Sequence, residues 1–177
     1  GLARNHIFRR SLGVRDVSLK ILDATAGFGQ DAAMMVALGC SVVALERSPV
    51  VEVLVQDALT RAWNENESLC RPLQRLQVVR ADAVDYMNAL SVADFPDVVY
   101  LDPMFVKPKS SAKSPKEMQL LQELLAAPES GEEERLMAAA LRVARQRVVV
   151  KRPLKARALK ASPTHMYKGQ SIRYDVY

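Results

Sequence analysis

Cysteine and histidine are scarce in this chain of 177 residues, with two of each: Cys40, Cys70, His6 and His165. None of the four falls at metal-ligand spacing, so nothing suggests a zinc site or any other metal, and no Ser-His-Asp set is suggested either. The cysteines read as reduced thiols, the usual state in the cytoplasm. Long apolar runs are also missing. None approaches the roughly 18 residues of a membrane span, and residues 1–10 are polar and basic, without the pattern of a signal peptide. There is no internal repeat and no long low-complexity stretch. The length suits one α/β domain, so residues 1–177 are read as a single domain. Because the chain opens on glycine rather than methionine, a native N-terminal region is expected to precede it.

What the chain does have is basic charge. The net charge is +5 and the sequence pI is about 9.4, a balance that favours anionic partners such as nucleic acid. Its distribution is more informative. Lys107, Lys109, Lys113 and Lys116 crowd one segment, and Arg142, Arg145, Arg147, Lys151, Arg152, Lys155, Arg157 and Lys160 crowd another. Acids gather elsewhere, notably at 129–134.

Short apolar runs alternate with longer helical patterns, the order of a parallel sheet covered on both faces. The runs at 20–24, 41–46, 76–80, 97–101 and 147–151 predict strands. Helices are predicted over 31–38, 50–64, 83–90, 116–126 and 132–144. Gly39 lies where a helix C-terminal glycine is expected, and Pro49 where a helix begins. After the fifth strand, Ile172, Tyr174 and Val176 alternate with Ser171, Arg173 and Asp175. That period-2 strand joins 166–167 through a turn containing Gly169, which makes the pair antiparallel. A nicotinamide dehydrogenase would instead continue with a second parallel half.

The clearest motif is Asp23-Ala24-Thr25-Ala26-Gly27-Phe28-Gly29-Gln30-Asp31-Ala32. It follows a predicted strand and opens a predicted helix, the context in which a glycine loop binds a nucleotide. Gly27 and Gly29 allow a tight turn and a close approach to a ligand. With Glu46 nineteen positions after Gly27, the loop suits S-adenosylmethionine or NAD equally. Asp23 separates the two. At the end of the first strand it would attract the cationic amino-acid portion of S-adenosylmethionine, whereas it would repel a pyrophosphate. Glu46 is then placed to accept hydrogen bonds from the ribose hydroxyls, and Asp82 to meet the adenine amino group. Asp31 reads equally as a ligand contact or as an acid favourable at a helix N-terminus.

The fourth predicted strand runs into Val98-Val99-Tyr100-Leu101-Asp102-Pro103-Met104-Phe105. This is similar to the Asp/Asn-Pro-Pro-Tyr/Phe motif of amino-group methyltransferases. The nitrogen of an exocyclic amine is a weak nucleophile because its lone pair is delocalised into the ring. Asp102 could accept a hydrogen bond from its N–H, hold it in line, and stabilise the positive charge that grows on it. Pro103 stiffens the loop, and Phe105 offers a face on which a flipped base can stack, worth roughly 1–3 kcal/mol. The same logic serves DNA adenine or a protein glutamine. Lys107, Lys109 and Lys113 then read as a loop facing an anionic partner, which is RNA under the resemblance given next, and Lys151 and Arg152, ending the fifth strand, as contacts to that partner or as a structural ion pair.

Taken together, the motifs resemble those of the ribosomal RNA small subunit methyltransferase J family. The carrying segments are the glycine loop from Asp23, Leu45-Glu46-Arg47-Ser48-Pro49-Val50-Val51, Asp102-Pro103-Met104-Phe105, Val148-Val149-Val150-Lys151-Arg152-Pro153, and Lys168-Gly169 with Arg173-Tyr174-Asp175-Val176-Tyr177. The resemblance implies a Rossmann-like class I methyltransferase: a mostly parallel seven-stranded sheet with a C-terminal antiparallel hairpin and helices on both faces. It implies S-adenosylmethionine contacts at Gln30, Asp31, Glu46, Arg47, Asp82, Ala83 and Asp102, although the family often has arginine at Gln30. It also implies guanine N2 in small-subunit ribosomal RNA, or in the small subunit itself, as acceptor. Neither a membrane nor a metal is implied, and nothing in the sequence specifies an oligomeric state.

Overall fold

Valine, leucine and isoleucine fill runs too short for helices, and their branched side chains suit a pleated surface buried on both faces. The computed structural model of the chain describes residues 2–15, 18–65, 67–103 and 131–177. The order is α1 (Leu2–Leu12), β1 (Lys20–Asp23), α2 (Gln30–Ala37), β2 (Ser41–Glu46), α3 (Pro49–Glu65), α4 (Glu67–Leu73), β3 (Leu76–Arg80), α5 (Ala83–Ala89), a 3-10 turn (Val92–Asp94), β4 (Val98–Leu101), α6 (Glu132–Val143), β5 (Arg147–Pro153), β6 (His165–Lys168) and β7 (Ile172–Val176). The helix predicted over 116–126 lies outside the described residues. No helix among those described is long and apolar enough to cross a membrane.

The strands form one seven-stranded sheet in the order β3-β2-β1-β4-β5-β7-β6. The first five run parallel, with Leu22 beside both Val43 and Val99 in register. β7 inserts antiparallel between β5 and β6. The expected mostly parallel sheet with a C-terminal antiparallel hairpin is therefore present. That hairpin succeeds β5 in the place where a dinucleotide fold would begin its second parallel half.

Alternation along β4 sorts the two cores. Val98 and Tyr100 join Phe8, Leu12, Ala32, Met35 and Tyr174 on the face covered by α1 and α2. Val99 and Leu101 join Met87, Leu136, Met137 and Ala140 on the face covered by α5 and α6. All four residues of β4 are buried, as a central strand between β1 and β5 requires.

Two helices depart from the sequence prediction. α1 was unforeseen because residues 2–12 are largely polar, and only Ile7, Phe8 and Leu12 mark an inner face. Yet Phe8 is fully buried, with its ring centroid 5.7 Å from that of Tyr100, edge-on, and 5.5 Å from that of Tyr174. Phe8→Ala is expected to destabilise the protein by about 3–5 kcal/mol, read as a lower urea midpoint at unchanged slope. A loss below about 1 kcal/mol would show that α1 is not part of the core. α4 was missed because Pro72 sits inside it, and proline ordinarily argues against a helix. β5 also runs two residues beyond its predicted end, because Arg152 and Pro153 pair with Arg173 and Ile172 of β7.

Candidate active site

Parallel strands all end on one edge of the sheet, and α/β proteins bind ligands outside that edge where the strand order reverses. Here the reversal lies between β1 and β4. The loop after β1 is fastened across it: Ala24 N donates to Tyr100 O and Ala26 N to Leu45 O, each at 3.0 Å. Gly27 (φ 51°) and Gly29 (φ 73°) hold the left-handed turns that bring this loop into α2. Thr25 Oγ1 accepts the backbone N–H of Asp102 at 2.6 Å. The glycine loop and the loop after β4 therefore share a hydrogen bond.

Five ionisable side chains converge beneath this junction. Lys151 Nζ lies 2.7 Å from Asp31 Oδ2 and 2.7 Å from Asp102 Oδ2. Tyr100 donates its hydroxyl to the same Asp31 oxygen at 2.7 Å. Asp23 is buried beside them, 1% exposed, with Oδ1 accepting the Thr25 N–H at 3.2 Å. The Asp102 side chain is 36% exposed, against 11% for Asp31, so Asp102 is the carboxylate of that pair that an incoming group meets first.

Burial sets the protonation of this cluster. It pushes Asp23 up to about 8. Asp31 and Asp102 add to that rise, while the Thr25 N–H and Lys151 oppose it. Burial also lifts Tyr100 well above its ordinary value, helped by Asp31 and Asp102, so the phenol stays a donor. Lys151 is pulled down by burial but raised overall by Asp102 and then Asp31, so it remains an ammonium ion. The cluster is thus one fixed cation among carboxyl groups, and the most deeply buried of them retains its proton at neutral pH.

The other predicted cofactor residues line the same edge. Glu46 ends β2, is 6% exposed, and accepts the Ser48 N–H at 2.7 Å. Arg47 is exposed and pairs with Glu132. Asp82 caps α5 through Oδ1, accepting from Val84 N at 2.9 Å and Asp85 N at 3.1 Å, and Ala83 comes next in the first turn. Gln30 opens α2 on the surface. Pro103 follows Asp102, half-buried. Phe105, Lys107, Lys109 and Lys113 lie outside the described residues.

Lys151 and Arg152 part company. Alternation along β5 turns Lys151 toward α2, whereas Arg152 enters the opposite layer. Its guanidinium is buried and donates twice to Arg157 O, at 3.0 and 2.6 Å, with Glu133 3.7 Å away. Neighbouring Arg173 is held by Asp175. Both predicted RNA contacts therefore have partners within the protein. Two contributors went unpredicted. Thr25 stood inside the glycine motif, and Tyr100 was the one aromatic in an otherwise aliphatic strand.

The donor set suits a cationic ligand bearing a ribose: a buried carboxyl at β1, positive-φ glycines that open the loop, and an acid ending β2. The family model for SAM-dependent methyltransferases matches residues 1–177. Ribosomal RNA small subunit methyltransferase J of Thioalkalivibrio sulfidiphilus is 39% identical over 176 residues, covering 98% of this chain and 68% of that protein. Its namesake in Nitrosococcus oceani is 40% identical over 179 residues, covering 100% and 69%. Among solved structures, a SAM-dependent methyltransferase from Neisseria gonorrhoeae superposes with a TM-score of 0.76 at 32% identity, over 98% of this chain and 70% of that one.

Proposed function

As the chain belongs to the ribosomal RNA small subunit methyltransferase J family of S-adenosylmethionine-dependent methyltransferases, we propose that it methylates the exocyclic N2 of a guanine in small-subunit ribosomal RNA. The observation that carries this reading is the position of Asp102. It directly follows the strand beside the glycine-loop strand, and its side chain shares Lys151 with Asp31 in the first turn of α2.

The residues divide between two ligands. Asp23, Gly27, Gly29, Gln30 and Asp31 would hold the amino-acid end of S-adenosylmethionine, Glu46 and Arg47 its ribose, and Asp82 and Ala83 its adenine. When bound, the cofactor supplies a methyl group made electrophilic by its sulfonium. Asp102 would accept a hydrogen bond from the guanine amino group and orient its lone pair. As positive charge grows on that nitrogen, the carboxylate stabilises it and takes the proton. Pro103 stiffens the loop, and Phe105 would stack on the flipped base.

Lys107, Lys109 and Lys113 would neutralise phosphates of the RNA or of the assembled small subunit, in the cytoplasm. For Arg152 to join this surface, its buried guanidinium would have to leave Arg157 O.

The test is transfer of labelled methyl to small subunits lacking their native methylations, with naked ribosomal RNA, DNA and protein alongside. Label recovered as N2-methylguanosine is the expected result. Label in DNA adenine or protein glutamine would replace the acceptor. Cofactor binding without label in any of them would remove guanine N2 from the reading.

A further inference from the structure

We infer that Lys151 is a positioning residue for methyl transfer, pinning the Asp102 carboxylate to the first turn of α2 rather than gripping RNA. This rests on the function proposed above.

The side chain is 17% exposed and its ammonium touches two carboxylates at once. Asp102 directly follows β4, Asp31 is the second residue of α2, and Lys151 stands on β5 one register step beyond the Leu101–Val150 pair. Tyr100 fixes Asp31 from the other side, through the same oxygen that Lys151 holds. Asp23 of β1 faces the cluster, and Tyr174 of β7 lies across the strand from Lys151. The chain Tyr100–Asp31–Lys151–Asp102 thus ties β4, β5 and α2 together by three contacts of 2.7 Å.

Two of the three N–H donors of this ammonium are committed to carboxylates, and drawing it out toward a phosphate would break its ion pair with Asp31, which is 11% exposed. Its effect falls instead on Asp102. The contact helps to orient the carboxylate, and the adjacent positive charge favours its ionised form, the form that accepts a hydrogen bond and later a proton.

The experiment uses Lys151→Met, which keeps length and loses charge, and Lys151→Arg, which keeps charge in a bulkier head. In Lys151→Met the single-turnover rate should fall about 10²-fold while affinities for RNA and cofactor stay within about threefold. The acid limb of its rate–pH profile should move up, because the carboxylate loses an adjacent positive charge. The carboxyl-carbon NMR midpoint of Asp102 in ligand-free protein should move the same way, and Lys151→Arg should restore most of that midpoint.

A normal rate with weaker RNA binding, and a salt slope reduced by about one, would overturn the inference in favour of a phosphate contact. An unmoved Asp102 midpoint would also overturn it. The NMR titration needs no turnover. If the wild type methylates nothing yet the midpoint moves, the proposed function fails while the hold of Lys151 on Asp102 stands.

Discussion

Asp102→Ala is expected to lower the single-turnover rate of methyl transfer by about 10²–10⁴-fold, the usual worth of a positioned acid–base group. Cofactor affinity should fall far less. Lys151 would keep its contact with Asp31, and the backbone N–H at position 102 would still reach Thr25, because neither bond uses the lost carboxylate. Asp102→Asn should fall between the two, since the amide oxygen can accept a hydrogen bond but takes no proton. Quench-flow with labelled cofactor reads the rate, and calorimetry reads the binding. Unchanged transfer in the alanine variant would remove Asp102 from the chemistry.

Asp23→Asn should change two properties in opposite directions. Asp23 is raised from 3.8 to about 8, chiefly by burial. The folded protein therefore binds a proton that the unfolded chain lacks between about pH 4 and pH 8. Across that window stability falls as pH rises, by up to about 1.4 kcal/mol per pH unit, and levels off above the folded value. Asparagine abolishes that dependence. The variant should melt above the wild type at pH 8.5, and the gap should narrow toward pH 5.

Cofactor binding should move the other way. A cationic ligand favours the ionised carboxylate, so wild-type affinity should rise as pH approaches about 8, with a proton released on binding below that pH. Removing one partner of a desolvated charge pair costs about 2–5 kcal/mol, so Asp23→Asn should bind at least about 30-fold more weakly. Calorimetry in two buffers of different ionisation enthalpy measures both the affinity and the proton. Affinity independent of pH in the wild type and unaltered in the variant would take Asp23 out of the cofactor site.

Much of the sheet was legible because local pattern and global role agree there. β2 and β3 have the predicted bounds, each an apolar run between helical patterns. The hairpin was legible from the alternation around Ile172, Tyr174 and Val176. α1 and α4 were not, because an amphipathic face of three apolar residues, or a helix with proline in its last turn, carries too weak a local signal. The site divides the same way. The glycine loop and the Asp102-Pro103 corner are contiguous words in the chain. The role of Lys151 is not, since its partners lie 120 and 49 residues away and only the meeting of α2, β4 and β5 brings them together. Charge alone made Lys151 and Arg152 look alike. Strand alternation sends one to the site and buries the other.

Phe8 belongs to the first helix and Tyr174 to the last strand, and their rings meet over β4. The layer beneath α1 therefore cannot close until nearly the whole chain is available. Closing so long a loop is entropically expensive, and non-local contacts of this kind slow folding. Synthesis would deliver β1 to β5 well before β7, leaving the flank of β5 open as an unpaired strand edge and a target for sticking. The interval between synthesis of β5 and synthesis of β7 is thus the hazardous one for this fold. Removing Phe8 with its helix, or β7 with Tyr174, should disable the fold without deleting a residue of the proposed chemistry.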